Sequence, residues 1–284
     1  MNLRDMLTFR LGTDYKADCQ RLSKLKIPLY QGLEYIYINN KYAFPVSESV
    51  LIKYRLHQGQ ELDENLIEEI KLADDISKGY NAALNYLSYQ LRTRKEVEDK
   101  LRSLDIHEDY IPEIINKLID LDLINDKNYA ESYVRTMMNT SDKGPKVIKL
   151  NLSKKGIDDN IAEDTLILYT DKLQVEKGVT LAEKLANRYS HDSYRNKQNK
   201  IKQSLLTKGF SYDIIDTIIQ ELDLIFDDDT EREILLEKAN KLWSRYDNLD
   251  IKKRKFKIQQ ALFKQGFSFS DITSALDEIE DTNI

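Results

Sequence analysis

The chain repeats itself: residues 182–223 lie over residues 239–280 at a constant offset of 57, with no gap. Tyr189 falls on Tyr246, Ile201 on Ile258, Leu205 on Leu262, and Gly209-Phe210-Ser211 on Gly266-Phe267-Ser268. A period of this length is one supersecondary unit used several times. It directs attention to an extended binding surface rather than to a single catalytic pocket.

Glycine anchors the unit. Gly156, Gly209 and Gly266 each follow a basic helical stretch and precede Ile157, Phe210 or Phe267 and then an acidic helical stretch. A glycine there supplies the left-handed turn that ends a helix, and the apolar residue after it packs back on that turn. Asp158, Ser211 and Ser268 stand ready to cap the next helix. Asp105 takes the glycine's place in an earlier unit, and the spacings 156−105=51, 209−156=53 and 266−209=57 describe one unit with varying loops. Apolar periodicity predicts three helices per unit. They are 82–91, 94–104 and 109–121 in the first, and 129–139, 145–155 and 160–169 in the second. In the third they are 181–189, 196–208 and 212–222, and in the fourth 234–246, 252–265 and 269–279. The expected fold is mainly α: tandem three-helix repeats in an elongated, curved array behind a small N-terminal α/β element.

That element is expected to hold a β-hairpin, because LEYIYI and KYAFPV flank Asn39-Asn40, a pair that tolerates the positive φ of a tight turn. Pro45 is expected either to end its strand or to place it at an edge. Ser47 or Ser49 is expected to cap a short helix, and Asp63 a following one that stops at Gly79. The predicted segments are a poorly patterned 1–32, a head at 33–79, and repeats at 80–126, 127–176, 177–228 and 229–284. Leu22, Leu25 and Ile27 fit a short helix or a strand equally well.

Charge is segregated within the repeat. Residues 251–264 hold six lysines and arginines and no acid, whereas residues 209–231 hold eight acids and no base. A basic edge and an acidic edge follow. A basic edge with Tyr194, Phe256 and Phe263 nearby is suited to contact phosphates, although the helical spacing of these aromatics favours core positions. The net charge of −6 argues against indiscriminate coating of naked nucleic acid. One cysteine, Cys19, permits no internal disulfide, and a reduced cytoplasmic setting is expected, with no membrane span.

No reaction centre is expected, and no metal or cofactor. His57, His107 and His191 occur singly in different modules, no phosphate-binding glycine loop is present, and Cys19 has no adjacent histidine. The run Asp227-Asp228-Asp229 lacks the glycine and spacing of a calcium loop and is expected to cap the next helix.

Several local signatures, in order, resemble the RecX family of bacterial recombinase regulators: YLSYQLRTRKEV, the LINDKNYAESYV stretch around Tyr129-Ala130, and the pattern from Lys143 to Ile157. The two later repeats and the YIYINNKYAFPVSESVLIKY head look like the longer members from Gram-positive bacteria. Met1–Tyr30 departs from the pattern, in which a short lysine-rich strand is expected. The resemblance implies a non-enzymatic, monomeric modulator that binds the RecA filament on single-stranded DNA, mostly inhibits it, and so tunes repair and the SOS response. Charge and position nominate Arg92, Arg94, Lys143, Lys146, Lys149, Lys197, Lys200, Lys253 and Arg254 as contact residues, with weak direct DNA contact through the basic helices. The alternatives are a helical-repeat DNA-binding protein and a general interaction adaptor.

Overall fold

The computed structural model describes residues 20–26 and 33–282, so Cys19 and Ile27 lie outside the described residues. The chain forms two compact units that meet in sequence between Asp126 and Lys127.

The first unit opens with an antiparallel sheet of β1 (Gln20–Lys26), β2 (Leu33–Ile38), β3 (Lys41–Ser47) and β4 (Glu61–Leu62), in the order β3-β2-β1-β4. The expectation for the N-terminal segment is thereby corrected. QRLSKLK is an interior strand, with Leu22 fully buried opposite Ile38, and it supplies the basic strand that residues 1–30 were expected to lack. Asn39 and Asn40 make the predicted two-residue turn with φ of 51° and 67°. Pro45 lies on the edge strand β3, as its missing N–H requires.

Helix α1 (Glu48–Tyr54) follows, and then α2 (Glu64–Tyr89), whose start is capped by Asp63 Oδ1 accepting from the Leu66 amide at 2.7 Å. The expected stop at Gly79 does not occur. A Cβ there would meet Ile114 Cδ1 at 2.7 Å, so this glycine serves close helix packing rather than termination. Gly178 does the same in a later helix, where a Cβ would stand 2.1 Å from Ile218 Cδ1. Leu22, Ile36, Val46, Leu62 and Ile70 form the head's core, all with negligible exposure.

The first repeat comprises the second half of α2, α3 (Arg94–Arg102) and α4 (Ile111–Asp120). The second unit carries three more. They are α5 (Asp126–Thr140), α6 (Pro145–Lys154) and α7 (Asp159–Leu166); α8 (Asp171–Arg188), α9 (Tyr194–Lys208) and α10 (Tyr212–Glu221); and α11 (Asp228–Arg245), α12 (Ile251–Lys264) and α13 (Phe269–Thr282). Helices α8 and α11 begin earlier than periodicity suggested, because Gly178 is accommodated inside α8 and Asp227 caps α11 through the Thr230 amide.

Each repeat has its own core cluster. The same two positions of the second helix are completely buried in all four: Val97 and Leu101, Ile148 and Leu152, Ile201 and Leu205, Ile258 and Leu262. Burying a branched aliphatic side chain contributes about 1.5–3 kcal/mol, so these pairs are the recurring keystone of the unit. A second clasp ties the second helix to the third. Lys149 reaches Glu163 at 2.6 Å and Lys202 reaches Asp216 at 3.0 Å, while Gln259 and Thr273 make the weaker neutral equivalent at 3.5 Å.

The glycine turns also join one repeat to the next. Gly209, at φ +95°, ends α9 and presents its carbonyl to the Lys146 amide at 3.1 Å, while Lys208 O accepts from the Gly144 amide at 2.7 Å. Both donors belong to the start of α6, where amides have no partner within the helix. One repeat later, Gln265 O beside Gly266 accepts the Ser193 hydroxyl at the start of α9. No Cβ fits: one on Gly144 would fall 2.6 Å from Gly209 C, and one on Gly209 would fall 2.6 Å from Val147 N.

Gly144 has an ordinary φ of −81° and is the N-cap of α6, a place where serine is normally preferred. Gly144→Ser is therefore expected to destabilise the protein by about 1–3 kcal/mol in urea unfolding, against the local capping preference. An unchanged or raised midpoint would mean that the joint is not close-packed.

Candidate interaction surface

The end-to-end joints set the second helices α6, α9 and α12 in succession, and these carry most of the nominated basic residues. Only some of those side chains are available. Lys149 is held by Glu163 at 2.6 Å, and Lys200 by Asp192 at 2.7 Å with its ammonium over the Tyr189 ring. Lys253 pairs with Asp250 at 3.2 Å. Arg254 lies over the Trp243 ring, 4.3 Å from its centroid, and donates to the Trp243 carbonyl at 2.8 Å from Nε, which makes it a brace inside its repeat. In the first unit Arg92 covers the Tyr86 ring at 4.2 Å and Arg94 bonds Glu98 at 2.7 Å. Lys143 and Lys146, at the start of α6, have no side-chain ion pair among the described residues, and Lys146 is exposed. Lys197 stands near the Glu231 carboxylate and lowers its tendency to hold a proton.

The junction between the third and fourth repeats is polar and was not foreseen. Asp192 accepts from Lys200 at 2.7 Å and from Asn196 Nδ2 at 3.2 Å, and Lys238 of α11 approaches it to 3.6 Å. Burial acts to raise its pKa, but the Lys200 bond and the two lysine charges outweigh burial and hold the carboxyl below the usual carboxylate range. Glu231 of α11 accepts from the Tyr194 amide at 2.9 Å, capping the first residue of α9. There burial prevails and holds the Glu231 carboxyl above its usual range. Asp126 treats the Arg94 amide in the same way at 2.8 Å, so a carboxylate cap on the second helix recurs. The Tyr194 hydroxyl donates to Leu224 O at 3.0 Å and its ring meets Phe226 edge-on. The alignment at offset 57 marks which residues are equivalent, but not which of them touch.

Phe256 and Phe263 are not core residues as expected: they are 60% and 59% exposed. The alignment held the signal, since Phe256 falls on the polar Asn199 while the buried positions fall on Ile201 and Leu205. His57, His107 and His191 are all exposed, and among the described residues no group of three or more His, Cys, Asp or Glu side chains is gathered to hold a metal ion. Among the described residues no helix is long and apolar enough to cross a membrane.

Comparison with known proteins matches this arrangement segment by segment. The model of the RecX first three-helix domain matches residues 80–118, the second residues 125–166, and the regulatory protein RecX N-terminal domain residues 35–63. The third three-helix domain matches twice, at 173–219 and 229–276, which is the ungapped repeat found in the sequence. Regulatory protein RecX of Levilactobacillus brevis is 44% identical over 244 residues, covering 86% of this chain and 92% of the relative. The chain belongs to the RecX family. A crystal structure of RecX from Lactobacillus salivarius shares 99% identity over 54% of this chain and 99% of its own, with a TM-score of 0.53. A crystal structure of regulatory protein RecX shares 43% identity over 71% of this chain and 99% of its own, with a TM-score of 0.64. The RecX repeats thus account for every three-helix unit described above.

A pH dependence follows from the junction. Because the Asp192 carboxyl is depressed in the folded state, its stabilisation is present in full above the unfolded value near 4 and is lost as pH falls through the lower folded value. Asp192→Asn should lower the melting temperature at pH 7 by about 2–4 °C, with the gap to the parent closing below about pH 4. A gap that is constant across that range would show that the charge does not matter.

Proposed function

We propose that this protein is a non-enzymatic regulator that binds the RecA filament on single-stranded DNA and restrains recombinase activity, tuning DNA repair and the SOS response. The observation that carries this reading is the succession of lysine-bearing second helices joined through the glycine turns, in a family whose named members are regulatory proteins. A filament repeats one binding surface along its length. A chain that repeats one module can engage successive protomers, and contacts that are weak singly then add through effective concentration. No deep pocket or bound group is required for such action.

Lys143 and Lys146 are the foremost contact candidates, because their charges are not spent on internal pairs. Lys149 is better left intact in any test, since it clasps Glu163 within its own repeat. The DNA-dependent ATPase of a preformed recombinase filament is expected to fall as this protein is added. The double variant Lys143→Glu, Lys146→Glu should need about tenfold more protein for the same effect, a loss of roughly 1.4 kcal/mol, with helicity unchanged. An ATPase indifferent to the parent protein would overturn the proposal. Strong recombinase-free binding to naked DNA, falling steeply with salt, would favour the DNA-binding alternative.

A further inference from the structure

The outer face of α12 differs from the same face in the other repeats of the second unit. Phe256 and Phe263 lie two turns apart on α12, about 10.5 Å along its axis, and Phe269 opens α13 beside them. All three rings are about 60% exposed, at 60%, 59% and 61%. Counted from the glycine turn, the equivalent residues are Asn199, Leu206 and Tyr212 in the third repeat, and Lys146, Ser153 and Asp159 in the second. The buried positions are kept in all of these repeats, so the fold does not demand three surface phenylalanines. Two shallow clefts meet at Phe256: one is bordered by Lys252, Lys253 and Lys257, the other by Phe263 and Phe269. An exposed aromatic patch with a charged border is the signature of a docking surface.

We propose that this face of the fourth repeat is a docking site for an acidic amphipathic helix of a partner protein; it lies on α12, one of the lysine-bearing second helices, but away from Lys143 and Lys146, the foremost candidates for filament contact. Charge complementarity selects the occupant. One border is lysine-rich, and α12 contains no acid at all. The neighbouring α13 contains five carboxylates and no lysine or arginine. The second cleft, lined by Gln259, Gln260 and the phenylalanines, offers no cation to a nucleic acid strand, which is charged at every step. A helix with acids on one flank matches the lysines and keeps clear of α13. The chain holds its own precedent: in each repeat of the second unit an acidic third helix packs on the basic second helix, through Lys149–Glu163, Lys202–Asp216 and Lys255–Asp277 at 2.6, 3.0 and 2.8 Å. The exposed face of α12 offers the same pairing of apolar residues and lysines to a helix from outside.

The test uses the full chain and a labelled helical peptide of about 18 residues with leucines on one face and glutamates on one flank. Its control is a twin carrying lysine in place of glutamate. The acidic peptide is expected to bind at least about tenfold tighter than its twin. Phe256→Ser with Phe263→Ser should weaken it by at least about tenfold, with far-UV circular dichroism unchanged because both rings lie outside the core. Equal binding of the two peptides, or unchanged binding to the double variant, overturns the proposal. So does a thymidine oligonucleotide that binds at the two phenylalanines while the acidic peptide does not.

Discussion

The second unit rests on one kind of joint between repeats: the end of a basic second helix, turned at glycine, brings its backbone carbonyls to the start of the second helix in the preceding repeat, meeting amides at α6 and the Ser193 hydroxyl at α9. The first turn of any helix carries amides that it cannot satisfy, and the last turn carries carbonyls. At the start of α6 each deficiency satisfies the other. Gly144 and Lys146 donate to Lys208 and Gly209, and Ser193 donates to Gln265. The partial charges at the two helix ends are opposite, so the alignment is favourable as well as complete. At the α6 joint the backbones approach this closely only because a side chain is missing on both sides. That makes Gly144, at an ordinary φ, as constrained as Gly209 at a left-handed one.

Once the joints are fixed, much of the basic surface is spoken for. Lys149 and Lys202 hold the third helix to the second, Lys200 and Lys238 share Asp192 at a junction, and Arg254 braces Trp243. The lysine-rich composition of the second helices therefore serves the architecture first. Surface ion pairs of this kind contribute modestly one at a time, but they also settle which cations remain to meet a partner. Lys143 and Lys146 emerge by that subtraction, and the exposed phenylalanines of α12 by comparing one repeat with the next.

Much of this was legible in the residues. The period, the helix count and the glycine turns followed from sequence, because Ile201 with Leu205 and Ile258 with Leu262 are forced to the same buried face and because few residues tolerate φ above zero. Asn39-Asn40 was legible for the same reason. What escaped were properties of contacts between segments. Gly79 looked like a stop, yet both it and Gly178 sit inside helices where Ile114 and Ile218 press close. Phe256 and Phe263 looked like core, since helical spacing alone does not say which stripe faces inward. Leu22 in β1 had too short a pattern to show that it pairs with residues on either side in the sheet. The Asp192 junction joins residues 46 positions from Lys238, a separation that periodicity does not report.

Amide hydrogen exchange at the start of α6 tests the central claim most directly. In a helix whose first turn faces water, the opening amides exchange quickly. With the next repeat's carbonyls bound to them, the amides of Gly144 and Lys146 should exchange as slowly as those in the middle of the helix, opening only when the repeats separate. Fast exchange at both positions while the middle of α6 stays protected would mean that the repeats are merely adjacent, and that the glycine turns do not join them.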